Sequence, residues 1–212
     1  MNWITFTKDE PDLLHCHLES AEDGLPYIVP NVVMESTNDA SRLGYVDVGK
    51  RFSVDWHVVD AGSRQQTVLD ILCHPRHNGT LEPMLLLTTD SMVFLDRVGL
   101  STVWNVLKDR KILGVSLTLD AKREGPPLTE LHFVHNEADV YCWQWRGCEG
   151  VWGAPQAFGV IYRTSDILGP LSRLEWNDPE SLQKAVSGDA SLRSKERMAC
   201  FAQATILDIS DE

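Results

Sequence analysis

Hydrophobic and polar positions along the chain fall into two textures. Residues 1–50 are rich in Asp, Glu, Asn, Pro and Ser and weakly periodic. Within them only residues 27–34 read as a strand, interrupted by Pro30, which cannot donate to a ladder and belongs at an edge or a bulge. From Arg51 to Arg146 short apolar or alternating runs recur at 52–59, 67–73, 84–88, 92–95, 112–119, 128–135 and 139–145. Runs this short, rich in β-branched and aromatic residues and bounded by turn formers, predict strands. Thr89-Asp90-Ser91 and His135-Asn136-Glu137-Ala138 read as hairpin connections, because so few residues cannot make the crossover that parallel neighbours need. Gly125-Pro126-Pro127 breaks the chain again.

Beyond Arg146 come Gly147, Gly150, Gly153 and Pro155, a loop-rich passage, then a strand predicted over 157–163. Asp178 as N-cap and Pro179 at the first position open a helix over 179–186. In 191–204 the stripe of Leu192, Met198 and Phe201 fits a helix, while 205–209 alternates like a strand, and the segment stays open between the two. The fold class expected is mainly β: antiparallel meander sheets, propeller-like or of sandwich or barrel type, with one or two short C-terminal helices. Three segments follow: an acidic, loop-rich 1–50, a β-rich core over 51–165, and a helical or mixed 166–212 packing on that core.

Charge narrows the partners. The 212 residues carry 31 acidic against 19 basic side chains, a net charge of −12, and the first 60 residues hold eleven acids against four bases. A polyanion would be repelled, so the expected partners are other proteins, not nucleic acid or a membrane. At this length, with 43% hydrophobic residues, a core forms without metal or disulfide. No basic start precedes an apolar run at the N-terminus, and the apolar stretches near 84–87 and 92–95 fall far short of the roughly 20 residues a membrane helix needs. The chain is expected inside the cell. Cys16, Cys73, Cys142, Cys148 and Cys200 are odd in number and irregular in spacing, which predicts reduced thiols.

Candidate chemistry is sparse. His15-Cys16-His17, Cys73-His74-Pro75-Arg76-His77 and His132 with His135 are local groups without a CxxC pair, and two residues three apart on a strand point to opposite faces. The reading is His15 and His17 exposed, His74 closing a turn and His132 half-buried, with no metal. No Gly-x-Ser-x-Gly elbow or phosphate-binding loop occurs, and Gly147-x-x-Gly150-x-x-Gly153 lacks the Gly-x-Gly start. No catalytic residue and no cofactor are expected. The one cluster that stands out is Tyr141, Trp143 and Trp145, on one strand face by alternation, with Trp152 nearby. It is either core or a docking surface; with His132, these residues form the candidate binding set.

The stretch from Thr67 to Pro75, followed by Met84 to Asp96, resembles part of a WD40-type β-propeller blade: a strand ending in His-Pro, then a hairpin whose second arm ends in an acid. Phe52 to His57 and Leu131 to Trp145 share the cadence. More narrowly, residues 52–146 resemble the propeller subunit of the fungal RNA polymerase I core-factor initiation complex. The resemblance implies a non-enzymatic scaffold among transcription-complex subunits, in the nucleus; without it, the location expected is the cytoplasm. The alternative is a small β-barrel or β-sandwich enzyme or ligand-binding protein with a pocket around Trp143, Trp145, His132 and Asp139.

Overall fold

The structure, a computed structural model, describes residues 1–60, 62–74, 81–121, 132–135 as backbone, and 140–209. The chain begins with alternating strands and helices: β1 (Asn2–Lys8), α1 (Pro11–Gly24), β2 (Asn31–Glu35), α2 (Asp39–Arg51), β3 (Asp55–Val58), α3 (Arg64–Cys73) and β4 (Met84–Thr89). There follow β5 (Met92–Phe94), α4 (Leu100–Leu107), β6 (Ile112–Ser116), β7 (His132–His135), β8 (Val140–Gln144) and β9 (Val160–Arg163). The chain closes with α5 (Thr164–Arg173), α6 (Pro179–Gly188), β10 (Arg197–Phe201) and β11 (Ile206–Asp208). The strand predicted over 27–34 is confined to Asn31–Glu35, starting one residue beyond Pro30, where no missing N–H interrupts the ladder.

Nine strands form one sheet in the order β3-β2-β1-β4-β9-β6-β10-β8-β7, and β5 pairs separately with β11. The pairs β1–β2, β1–β4, β2–β3 and β6–β10 are parallel, while β9 runs antiparallel between β4 and β6. The expected meander and propeller are therefore wrong: this is a mixed, doubly wound α/β sheet. Two misreadings caused the error. Thr89-Asp90-Ser91 does not join hairpin partners, since β4 bonds β1 and β9 while β5 leaves the sheet for β11. Residues 67–73 are helical, with Arg64, Val68 and Leu72 buried at intervals of four along one stripe. The antiparallel pairing of β7 with β8 agrees with the second predicted hairpin, whose connection at 136–139, like Gly125-Pro126-Pro127, lies outside the described residues.

Strands β1 and β4 are buried nearly throughout, as sheet strands covered on both faces must be. The chain moves from β1 to β2 to β3 in one direction, then crosses back to place β4 on the other side of β1. With right-handed crossovers, that reversal puts α1 and α2 on one face and α3 on the other. Accordingly α1 packs on α2, and α3 packs on α5.

The predicted start of α6 is present in full: the Asp178 carboxylate accepts from the Ser181 N–H at 2.7 Å, and Ser181 Oγ lies 3.1 Å from the Asp178 N–H in a reciprocal capping box. Asp178→Ala is expected to cost about 1 kcal/mol of stability, read by urea unfolding. Residues 197–201 resolve to strand, not helix. Among the described residues no helix is long and apolar enough to cross a membrane.

Candidate functional site

In an open α/β sheet, ligands bind outside the carboxyl ends of the strands where the strand order reverses. Here that point lies between β1 and β4, and three turns converge on it. The β1–α1 turn carries Lys8, Asp9 and Glu10, the β2–α2 turn carries Ser36, Thr37 and Asn38, and the β4–β5 turn carries Asp90 and Ser91.

Asp9 has φ 57°, a left-handed conformation that Asp tolerates better than most residues. The turn aims its carboxylate across the sheet to accept from Thr37 N–H at 2.8 Å, Thr37 Oγ1 at 2.5 Å and Asn38 Nδ2 at 3.2 Å. The Thr37 hydroxyl, more than any other partner, holds the Asp9 carboxyl below the usual carboxylate range. Tyr45 pins the same turn from below, its hydroxyl 2.8 Å from Thr7 Oγ1 and accepting from the Glu10 N–H at 3.0 Å.

A crevice of about 200 Å³ opens here, lined by Thr7, Lys8, Glu10, Arg64, Asp90 and Asp178 among others. Asp90 is half-buried. Burial first, then the nearby Glu10 carboxylate, raise its carboxyl above the usual range, while the Thr7 hydroxyl acts in the opposite sense. Two cations share the wall. Arg64 is buried, donates to the Asn177 carbonyl at 2.6 Å and pairs with Glu35. Lys8, on a side chain 58% exposed, pairs with Glu35 at 3.2 Å. The arrangement offers carboxylate acceptors for hydroxyl and N–H groups beside two cations for an anionic group. Among the described residues no three acidic, His or Cys side chains converge to hold a metal ion.

A second, larger cavity of about 1070 Å³ lies further along the same carboxyl edge, beyond the ends of β6 and β10. Asp90 and Ser91 belong to the turn between the two: Ser91 Oγ donates to Asp208 Oδ1 at 2.8 Å, and Met92 lines the cavity.

The aromatic set divides. Trp143 and Trp145 are each 3% exposed, their indole N–H groups donating to the carbonyls of Trp152 at 3.0 Å and Lys195 at 3.2 Å. Tyr141 is half-buried against the core. Trp152 lines the large cavity, and the side chain of His132 lies outside the described residues, as does Asp139. His15 meets Arg51 at 2.9 Å, but His17, expected exposed, is fully buried. The crevice residues escaped the sequence reading because Asp90 passed for a hairpin turn. The available signal was Lys8-Asp9-Glu10-Pro11, a polar turn with a helix-opening proline behind an apolar run.

No protein-family model matches the chain, and no curated protein matches its sequence. Among solved structures, the fold is similar to that of S. aureus TarS, with a TM-score of 0.55 at 12% identity over 97% of this chain. A structure of TarS residues 1–349 gives the same score, and one of that fragment in complex with UDP-GlcNAc gives 0.50 at 13% identity over 100% of this chain. This chain spans 36% of the longer TarS chain and about 60% of the fragment. At such identities the likeness establishes the fold alone. It removes the propeller, and with it the non-enzymatic scaffold role and the tie to transcription initiation, which rested on the propeller.

Proposed function

We propose that this chain is a nucleotide-sugar-binding domain of glycosyltransferase type, which takes a uridine diphosphate sugar at the β1–β4 switch point and transfers its glycosyl group to an acceptor at the same sheet edge. The observation that carries this reading is the crevice at that point, with half-buried Asp90 in its wall and Lys8 and Arg64 beside it. The fold shared with TarS, solved with UDP-GlcNAc, supports the choice of ligand.

Each group has a role. The carboxylates of Glu10, Asp90 and Asp178 accept from ribose or sugar hydroxyls and the N–H of the base. Lys8 leaves Glu35 for the diphosphate, and the buried Arg64 adds a fixed positive charge. In the transfer, the bond from the anomeric carbon to the phosphate oxygen breaks, a bond to the acceptor oxygen forms, the acceptor hydroxyl's proton passes to a carboxylate of the crevice, and the nucleoside diphosphate leaves with the electron pair. A crevice of 200 Å³ is smaller than the roughly 300–1,000 Å³ of typical small-molecule sites, so it seats one portion of the donor while the remainder extends along the edge.

Calorimetric titration with UDP-GlcNAc tests the reading. The wild-type chain is expected to bind it, and Asp90→Asn to bind it about 10- to 100-fold more weakly, as loss of a charged hydrogen-bond acceptor predicts. A chain that ignores UDP, UDP-GlcNAc and UDP-glucose at millimolar concentration would sink it.

A further inference from the structure

At the amino edge of the sheet, opposite the crevice, the chain departs from its local preferences twice within six residues. The Ile28 N–H donates to the Leu25 carbonyl at 3.2 Å and closes a tight turn, with Pro26 in its second position and Tyr27 in its third. Tyr27 has φ 72°, where such a turn calls for Gly or Asn, because a Cβ crowds the backbone in the left-handed region. No burial compensates, since Tyr27 is 97% exposed. Just before it, Glu22 and Asp23 fall in the last turn of α1, the end where the helix dipole favours cations and where α1 carries none. Both are exposed, and neither side chain has an ion-pair or hydrogen-bond partner among the described residues. Beside these features a cavity of about 560 Å³ opens, floored by buried Trp3, Leu18, Leu25 and Phe52 and rimmed by Tyr27 and Val29. Arg51, which precedes Phe52, is engaged by Glu19 and His15.

Departures from local stability that gather at one place mark a site held for function. We infer that this groove docks a segment of a partner protein in which an aliphatic or aromatic side chain is flanked by Arg or Lys. The apolar side chain enters the groove, its cationic neighbours meet Glu22 and Asp23, and the exposed Tyr27 ring offers its face to one of them. A second copy of this chain, docked face to face about a two-fold axis, would bring Glu22 and Asp23 against their own counterparts. Anionic lipid or nucleic acid would meet the same repulsion. The groove lies at the sheet edge away from the β1–β4 switch point, so the inference stands apart from the nucleotide-sugar reading, and both ligands can be held at once.

The test selects phage displaying short random peptides on the immobilised full chain, then titrates the enriched sequence, synthesised with a fluorophore, by anisotropy. The enriched peptides are expected to combine Leu, Ile, Phe or Trp with Arg or Lys. Glu22→Lys together with Asp23→Lys is expected to weaken the peptide about 10-fold, and Tyr27→Gly to weaken it by a similar factor. Glycine suits a φ of 72°, so Tyr27→Gly is expected to melt no lower than the wild type, which separates lost binding from lost fold. UDP-GlcNAc titrations are expected to be the same for the wild type and both variants. Selection of acidic peptides or of none, or peptide binding indifferent to both variants, would overturn the inference. Self-association of the wild type that Tyr27→Gly abolishes in sedimentation would also overturn it, giving the groove to a second copy. A wild type that binds the peptide but not UDP-GlcNAc overturns the donor reading and leaves the docking groove standing.

Discussion

Replacing Arg163 by alanine is expected to lower the unfolding free energy by about 3–5 kcal/mol, the cost of breaking a buried ion pair from one side. Arg163 ends β9, the strand that runs antiparallel between β4 and β6 and so joins the two parts of the sheet. Its guanidinium is almost wholly buried; Nε donates to Asp166 Oδ2 at 2.6 Å, and the terminal nitrogens donate to the carbonyls of Leu107 and Ile112. Those carbonyls close α4 and open β6, so one side chain ties β9 to the helix and strand beside it. Alanine would strand a largely buried carboxylate, relieved in part by Lys195 at 3.4 Å from Asp166. Urea unfolding of the wild type and variant measures the difference. A loss below about 1 kcal/mol would show that the network contributes little to the joint between the halves.

Acid is expected to weaken the fold chiefly through one fully buried histidine, His17, with a further loss of the same sign from His57, whose ring burial also holds below its ordinary range. His17 on α1 sits between the sheet and β5: its Nδ1 meets the Met92 carbonyl, and its Nε2 lies 3.2 Å from both Thr5 Oγ1 and Thr88 Oγ1. A carbonyl has no proton to give, so Nδ1 carries the hydrogen and Nε2 accepts. Burial pushes the ring's pKa down to about 4 from the ordinary 6.5. Above pH 6.5 the ring is neutral folded or unfolded, and its contribution is complete. As the pH falls from 6.5 toward 4 the unfolded chain takes up a proton that the folded chain refuses, at 1.36 kcal/mol per unit, a loss of about 3 kcal/mol over the window. The carboxyls of Asp9, Asp178 and Asp189 lie below their ordinary range and add their own loss only near and below the usual carboxylate pKa. His17→Gln isolates the histidine. Its stability is expected to fall much less between pH 6.5 and 4.5 than that of the wild type, and parallel curves would contradict this assignment.

What the amino-acid pattern revealed depended on whether the information was local. The start of α6 was readable because a cap and a proline act within one turn, and the strands near 84–88, 112–119 and 157–163 were readable from apolar β-branched runs. Strand partners were not. A buried strand such as Leu85-Leu86-Leu87 carries no alternation to say which face or neighbour it has, and the short Thr89–Ser91 link misled because β5 pairs elsewhere. In β1, Thr5 and Thr7 look like surface positions, yet both are buried, satisfied by Thr88 and His17 and by Tyr45. Long-range partners of that kind hid the sheet, and with it the crevice, whose residues come from turns separated by most of the chain's first half and by α6.

The central claim, a nucleotide sugar held where β1 and β4 part, is tested most directly by amide chemical-shift mapping of the full chain titrated with UDP-GlcNAc. The largest perturbations are expected at Lys8, Asp9, Glu10, Asp90 and Ser91, saturating together with one dissociation constant. Saturating shifts confined to the opposite, amino edge of the sheet around Tyr27 and Val29, or no shifts at millimolar ligand, would contradict it.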